Sequence, residues 1–197
     1  MNETFIERAR RKQIVAATID VIADEGFRAA SVARIAERAG VSKSLVLYHF
    51  TTKDELLRQT VFDTYAALAE AVTSQLDFTR PVAETLPEAV RLTARVGIDQ
   101  ARSRRALDQI IANLGRSGTP QVLTPADADP ITLGLQQMFE AGKADGSLRP
   151  DLDAHAMAVA YQAVINAMHT HLDAHPETDV DAFADALTDV LLRGAAR

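Results

Sequence analysis

The stretch Ser31 to Phe50, SVARIAERAGVSKSLVLYHF, constrains the fold more tightly than any other part of the chain. Val32, Ile35, Ala36 and Ala39 recur at the spacing of one helix face, and Ser31 stands where its hydroxyl can accept from the unpaired amides at the helix start. Gly40 ends that helix, because a residue without a β-carbon enters the left-handed region at little cost, and Val41 follows as an apolar plug under the turn. Ser42 caps a second helix, Lys43 to about His49. It turns Leu45 and Val46 inward and leaves Lys43, Ser44, Leu47, Tyr48 and His49 for an outward face. Ala36 is small enough for the two helices to cross at the steep angle of a helix-turn-helix. The pattern predicts a DNA-reading unit; spacing alone also admits an ordinary helical hairpin.

The surroundings favour the first reading. A helix from Thr4 to about Glu25 precedes the unit, with Ile14, Ala17, Thr18, Val21 and Ile22 as its buried stripe. It stops at Gly26, and Phe27 is placed to fold back over its last turn. Three helices around one small core, the last two forming the turn, make a DNA-binding module.

The order of a helix, Glu25-Gly26-Phe27, S-V-x-x-I-A-x-x-A-G-V-S, a short helix ending Tyr48-His49-Phe50, and then Thr51-Thr52-Lys53-Asp54-Glu55-Leu56-Leu57 resembles the amino-terminal domain of the TetR (tetracycline-repressor-like) family of bacterial transcription regulators. The resemblance spans Arg8 to Leu57; the rest is similar only in length and helicity. Ser44 stands where the family often has Gly, and Leu47 where it often has Tyr. The resemblance implies a homodimer and a cavity for a small ligand.

Charge supports such a division of labour. The chain is acidic overall, 21 Lys and Arg against 27 Asp and Glu, yet residues 1–60 hold ten basic groups against eight acidic ones. Phosphate attraction acts over a Debye length of about 8 Å, so the balance on the docking face outweighs the total. Arg8, Arg10, Arg11 and Lys12 near the start of the first helix are candidates for a phosphate strand. Arg28 and Arg34 either touch phosphate or pair with Asp24, Glu25 or Glu37. The absence of cysteine removes disulfides, thiolate metal sites and cysteine nucleophiles. No apolar run approaches the roughly 18 residues of a membrane span, and the polar start lacks a secretory core, so a cytoplasmic protein with no membrane partner is expected.

After Phe50, Leu57, Val61, Tyr65, Leu68, Val72 and Leu76 stripe an unbroken helix from about Lys53 to Gln75. At 1.5 Å per residue it is a rod of roughly 35 Å, long enough to link the reading unit to a second domain. Two prolines in Asp77–Pro87 break the pattern. Helices follow over Glu88–Gln100, Arg105–Leu114, Ile131–Ala144, Ala154–Ala174 and Asp181–Arg193, with Arg102, Arg104 and Arg105 as a basic knot between the first two. Gly115 to Pro130 reads as a loop long enough to gate a pocket. Small residues Ala156, Ala160, Ala163 and Ala167 on one carboxy-terminal helix, and Phe183, Leu187, Val190 and Leu191 on the other, call for a partner. The economical one is a second copy, forming a four-helix interface about a twofold axis.

The fold class expected is all-α: a helix-turn-helix domain over 1–52 and a larger helical ligand-binding and dimerisation domain over 53–197. The function expected is a ligand-responsive transcriptional regulator, a repressor released from a pseudo-palindromic DNA operator by a small-molecule effector, with no enzyme activity. Base-edge contacts fall to Lys43, Ser44 and Leu47, and backbone contacts to Ser42, Tyr48, His49 and Lys53. Candidate pocket residues are Tyr65, Arg95, Asn113, Phe139, Tyr161, Asn166 and His169. His171 and His175 share a helix face but lack a third ligand, so neither metal nor cofactor is expected. The alternative is a helical-bundle small-molecule carrier or enzyme without a DNA role, although no nucleophile, metal set or phosphate-binding glycine loop supports it.

Overall fold

A computed structural model describes residues 4–114 and 130–195, and every regular element among them is helical. The helices are α1 (Phe5–Glu25), α2 (Val32–Arg38), α3 (Lys43–His49), α4 (Lys53–Thr73), α5 (Val82–Asp99), α6 (Ala101–Leu114), α7 (Pro130–Ala144), α8 (Ala154–Ala174) and α9 (Val180–Ala195), with a 3-10 turn at Phe27–Ala29. The chain forms two compact units. One takes in α1 to α3, α4 as far as Ala67, and α6; the other takes in the chain from Leu68 through α5, and α7 to α9.

In the first unit the expected α1 stripe is buried, Ile14, Val21 and Ile22 completely, and Ile35, Ala36, Val46, Phe50, Leu56 and Leu57 of the same unit are buried as well. Each such aliphatic side chain withdrawn from water contributes on the order of 2 kcal/mol, which is what holds the short helices α2 and α3 in place. Thr18, Thr60 and Thr64 lie inside this unit without an unmet hydroxyl, because each donates to the carbonyl four residues back. The long helix buries Leu57 and Val61, while Tyr65, Leu68 and Val72 are half-buried.

The second unit packs α5 against α7, α8 and α9, and α7 against α8. Leu86, Val90 and Ala94 of α5 meet Phe139, Met157, Tyr161, Ile165 and Met168, with Ala184, Leu191 and Ala195 of α9 closing the cluster. Arg91 pairs with Asp185 and Arg95 with Asp181 along the α5–α9 seam. Asp153 caps α8 by accepting from the Ala156 amide, and Asp179 accepts from the Ala182 amide at the start of α9.

Two boundaries differ from expectation. The proline-containing stretch before Glu88 is already helical: α5 begins at Val82 and carries Pro87 inside it. A proline there deletes one helix hydrogen bond, but Thr85, Leu86, Ala89 and Val90 bury one continuous face. Asp145 and Ser147 accept from the Val82 and Ala83 amides, so the first turn is satisfied from outside. The basic knot is likewise the first turns of α6 rather than an interhelical turn, and Arg102 there reaches Asp20 and Asp24 of α1. The expected pocket-gating loop at 115–129 lies outside the described residues.

Candidate nucleic-acid interface

The turn between α2 and α3 is built from short-range chemistry. Ser31 accepts from the Arg34 amide at 3.2 Å, which starts α2. Gly40 adopts φ +65°, letting its own amide reach the Glu37 carbonyl at 3.1 Å and the Val41 amide reach the Ala36 carbonyl at 2.9 Å. These two crossed bonds are the Schellman arrangement, in which a left-handed residue turns the chain back on the helix it has just ended. Ser42 then accepts from the Leu45 amide at 3.1 Å and starts α3.

That geometry divides α3 into two faces. Val46 is buried and Leu45 half-buried, whereas Ser42, Lys43, Ser44, Leu47 and Tyr48 are exposed. Tyr48 is 72% exposed and rests edge-on against the half-buried His49 ring. A tyrosine and a leucine on the open side of a seven-residue helix are poor choices for water and good ones for a groove. Lys53, in the first turn of α4, is half-buried with its ammonium 5.1 Å from the centre of the Phe27 ring. Thr52 caps that turn through the Glu55 amide, and the Glu55 carboxylate accepts from the Thr51 amide. Two of the amides around that helix start, those of Thr51 and Glu55, are thus filled from within the segment itself.

The cations sort into two groups. Arg34 pairs with Glu25 and Glu37, and Arg38 with Asp24 and Glu25, so these two neutralise the α1–α2 surface. Their fork bonds pull the Glu25 carboxyl below the usual carboxylate range, Arg34 contributing most. Arg8, Lys12, Arg28, Lys43 and Arg58 are exposed.

The seven candidate pocket residues divide between the two units. Phe139 and Tyr161 pack edge to face in the second unit, with ring centres 6.1 Å apart. His169, on the same helix as Tyr161, lies 3.1 Å from the Thr93 carbonyl. Burial drives the Tyr161 hydroxyl up to about 12, moderated by its hydrogen bond with Thr93. These three therefore converge on α5. Arg95 is exposed and paired with Asp181, and Asn166 is exposed and accepts from Gln162. Tyr65 and Asn113 belong to the other unit, and Asn113 donates back to the Gln109 carbonyl. A shallow depression of about 380 Å³ is lined by Arg95, Ile98, Asp99, Asp179, Val180 and Asp181; of the seven, it includes Arg95 alone. Local sequence signals do not mark that depression, because its residues come from a helix end and a cap distant in the chain.

A capped, glycine-turned helix pair with one amphipathic helix facing outward defines a helix-turn-helix domain. Residues 14–60 match the model for bacterial regulatory proteins of the tetR family. That match runs from the middle of α1 through the helix pair to the opening turns of α4, and the likeness to the family is a likeness of this domain. A relative from Cronobacter sakazakii, the HTH-type transcriptional regulator BetI, is 38% identical over 96 residues, 49% of this chain and 46% of the relative. The chain thus matches about half the length of that curated relative. The solved fatty acid degradation regulator FadR from Bacillus halodurans superposes with a TM-score of 0.78 at 18% identity, covering 98% of this chain and 97% of that one. A TetR family transcription regulator from Marinobacter aquaeolei VT8 superposes with a TM-score of 0.74 at 19% identity, covering 97% of each. The likeness to these two is one of fold, and it runs through the carboxy-terminal helices as well as the head.

Proposed function

We propose that this protein is a homodimeric, ligand-responsive transcriptional regulator, acting as a repressor, that places α3 of each copy in successive major grooves of a pseudo-palindromic operator. The observation that carries the reading is the outward face of α3: Lys43, Ser44, Leu47 and Tyr48 stand exposed on a helix whose other face is fixed by Val46 and by caps at both ends. Lys43 and Ser44 read base edges, Leu47 meets a thymine methyl, and Ser42, Tyr48, His49 and Lys53 hold the sugar-phosphate backbone.

The dimer forms through α8 and α9. Ala156, Val159, Ala160, Ala163 and Ala167 are exposed along α8, and Val190 is 65% exposed on α9. Small side chains in that pattern let a second helix pair approach closely, which supports a four-helix interface. A small-molecule effector binds the carboxy-terminal helices and favours a dimer whose reading helices no longer match half-sites about a helical turn apart. For this to release DNA, the effector must bind the two arrangements with different affinity.

Selection of genomic fragments with the purified protein tests the proposal. Enrichment of a few fragments sharing an inverted repeat, with affinity falling steeply as salt rises, is the expected result. Recovery of no fragment above background, with no salt-sensitive binding to any duplex, would overturn it.

A further inference from the structure

Helices α2 and α3 are seven residues each, and each ends on carbonyls that no later amide of its own helix meets. Helix α1 supplies a donor to both. Gln13 donates from Nε2 to the Ala39 carbonyl at 2.6 Å, while its Oε1 accepts from Arg10 at 2.7 Å. Arg11 serves α3 in the same way. Its Nη1 donates to the His49 carbonyl at 2.6 Å, its Nη2 reaches Gln59 Oε1 at 3.4 Å, and its guanidinium lies 4.3 Å from the centre of the buried Phe50 ring.

One planar cation thus ties the last residue of α3 to α1, to α4 and to the core beneath the turn. The fork and the stacking face of a guanidinium do this together, and a lysine ammonium would supply neither. A phosphate drawn to Arg11 would have to displace contacts that the side chain already makes. Building on the reading of α3 as the DNA-reading helix, we propose that Arg11 is a positioning residue for base recognition. It fixes the pitch and roll of α3 from behind and touches no phosphate.

The distinction has a measurable signature. Phosphate contacts tolerate small rotations of a helix, whereas paired bonds to a base edge do not. Loss of Arg11 therefore removes preference between sequences and leaves general attraction intact.

The experiment compares the full-length protein with Arg11→Gln and Arg11→Lys at a temperature where circular dichroism shows all three folded. The probes are the best duplex selected by the unmodified protein from a random library, and sheared heterologous DNA, over a range of salt. Both variants should lose roughly tenfold in affinity for the selected duplex, keep their affinity for sheared DNA, and retain the original slope of log affinity against log salt. The proposal is overturned if Arg11→Lys binds like the unmodified protein while Arg11→Gln weakens on both DNAs with a slope reduced by about one, the mark of a lost phosphate contact. Equal loss on both DNAs at unchanged slope, or no loss at all, also counts against it. If the unmodified protein shows no salt-dependent affinity for either DNA, the reading of α3 falls and the role of Arg11 falls with it.

Discussion

Lys43 and Lys53 carry the same charge at different stations, and their loss should look different. Lys43 is exposed on the outer face of α3, whereas Lys53 opens α4 with its ammonium held over Phe27. Lys53→Ala is expected to weaken binding to all sequences alike and to lower the salt slope by about one. Lys43→Ala should in addition relax base preference at one position of each half-site, by about 1–3 kcal/mol of discrimination. Fluorescence anisotropy on a panel of single-base variants separates the two, and an unchanged preference profile for Lys43→Ala refutes its base-edge role. Glycines make a second contrast. At Gly40 an added methyl meets nothing within 4 Å, so Gly40→Ala should lose only about 1 kcal/mol, the backbone term for a left-handed residue. At Gly97 the same methyl would overlap the ring of His169, whose Nε2 contacts the Thr93 carbonyl. Gly97→Ala should therefore lose about 1–3 kcal/mol by overpacking, read as the larger drop in chemical-denaturation midpoint. Asp24 adds a pH term. Hydrogen bonds from Arg102, then Arg38, draw its carboxyl from 3.8 down to about 2. Because the folded value is the lower one, the stabilisation is full above the unfolded value and is lost as pH falls from about 4 through 2. Asp24→Asn should melt below the unmodified protein at pH 7, and the two melting temperatures should converge near pH 2.

Among the elements, those set by neighbouring residues were legible in the sequence and those set by distant packing were not. Ser31, Gly40, Ser42 and the Ile14–Ile22 stripe act within a few residues of one another, so α1 to α3 and the exposed face of α3 could be read directly. The start of α5 could not, because Pro87 reads locally as a stop and only burial of Leu86 and Val90 with capping from Asp145 and Ser147 carries the helix through. The partners of the basic knot escaped for a similar reason: the carboxylates that hold Arg102 lie about eighty residues away on α1. Arg11 is the clearest case in the head. As sequence it is one cation among several near a helix start, and its stacking on Phe50 exists only once α1 and α3 have packed. Pocket candidates chosen as polar or aromatic residues on helices divide between core, as with Phe139, and surface, as with Arg95 and Asn166, because helical periodicity does not say which buried face borders a cavity.

At the scale of the whole molecule the account requires two copies. The exposed alanine row of α8 predicts that Ala163→Arg converts a dimer to a monomer in light scattering while leaving helical content intact, since Ala163 makes no part of the buried cluster of its own chain. A dimer unaffected by a charge of that size at that place would move the interface elsewhere. The most direct test of the central claim is titration of the purified protein into a selected duplex carrying an inverted repeat, with Lys43→Ala/Tyr48→Ala alongside. The account predicts two chains, or a multiple of two, per duplex, affinity that falls steeply with salt, and loss of sequence preference in the double variant with its helical spectrum unchanged. Undiminished preference in that variant, or saturation by a lone chain, would contradict it.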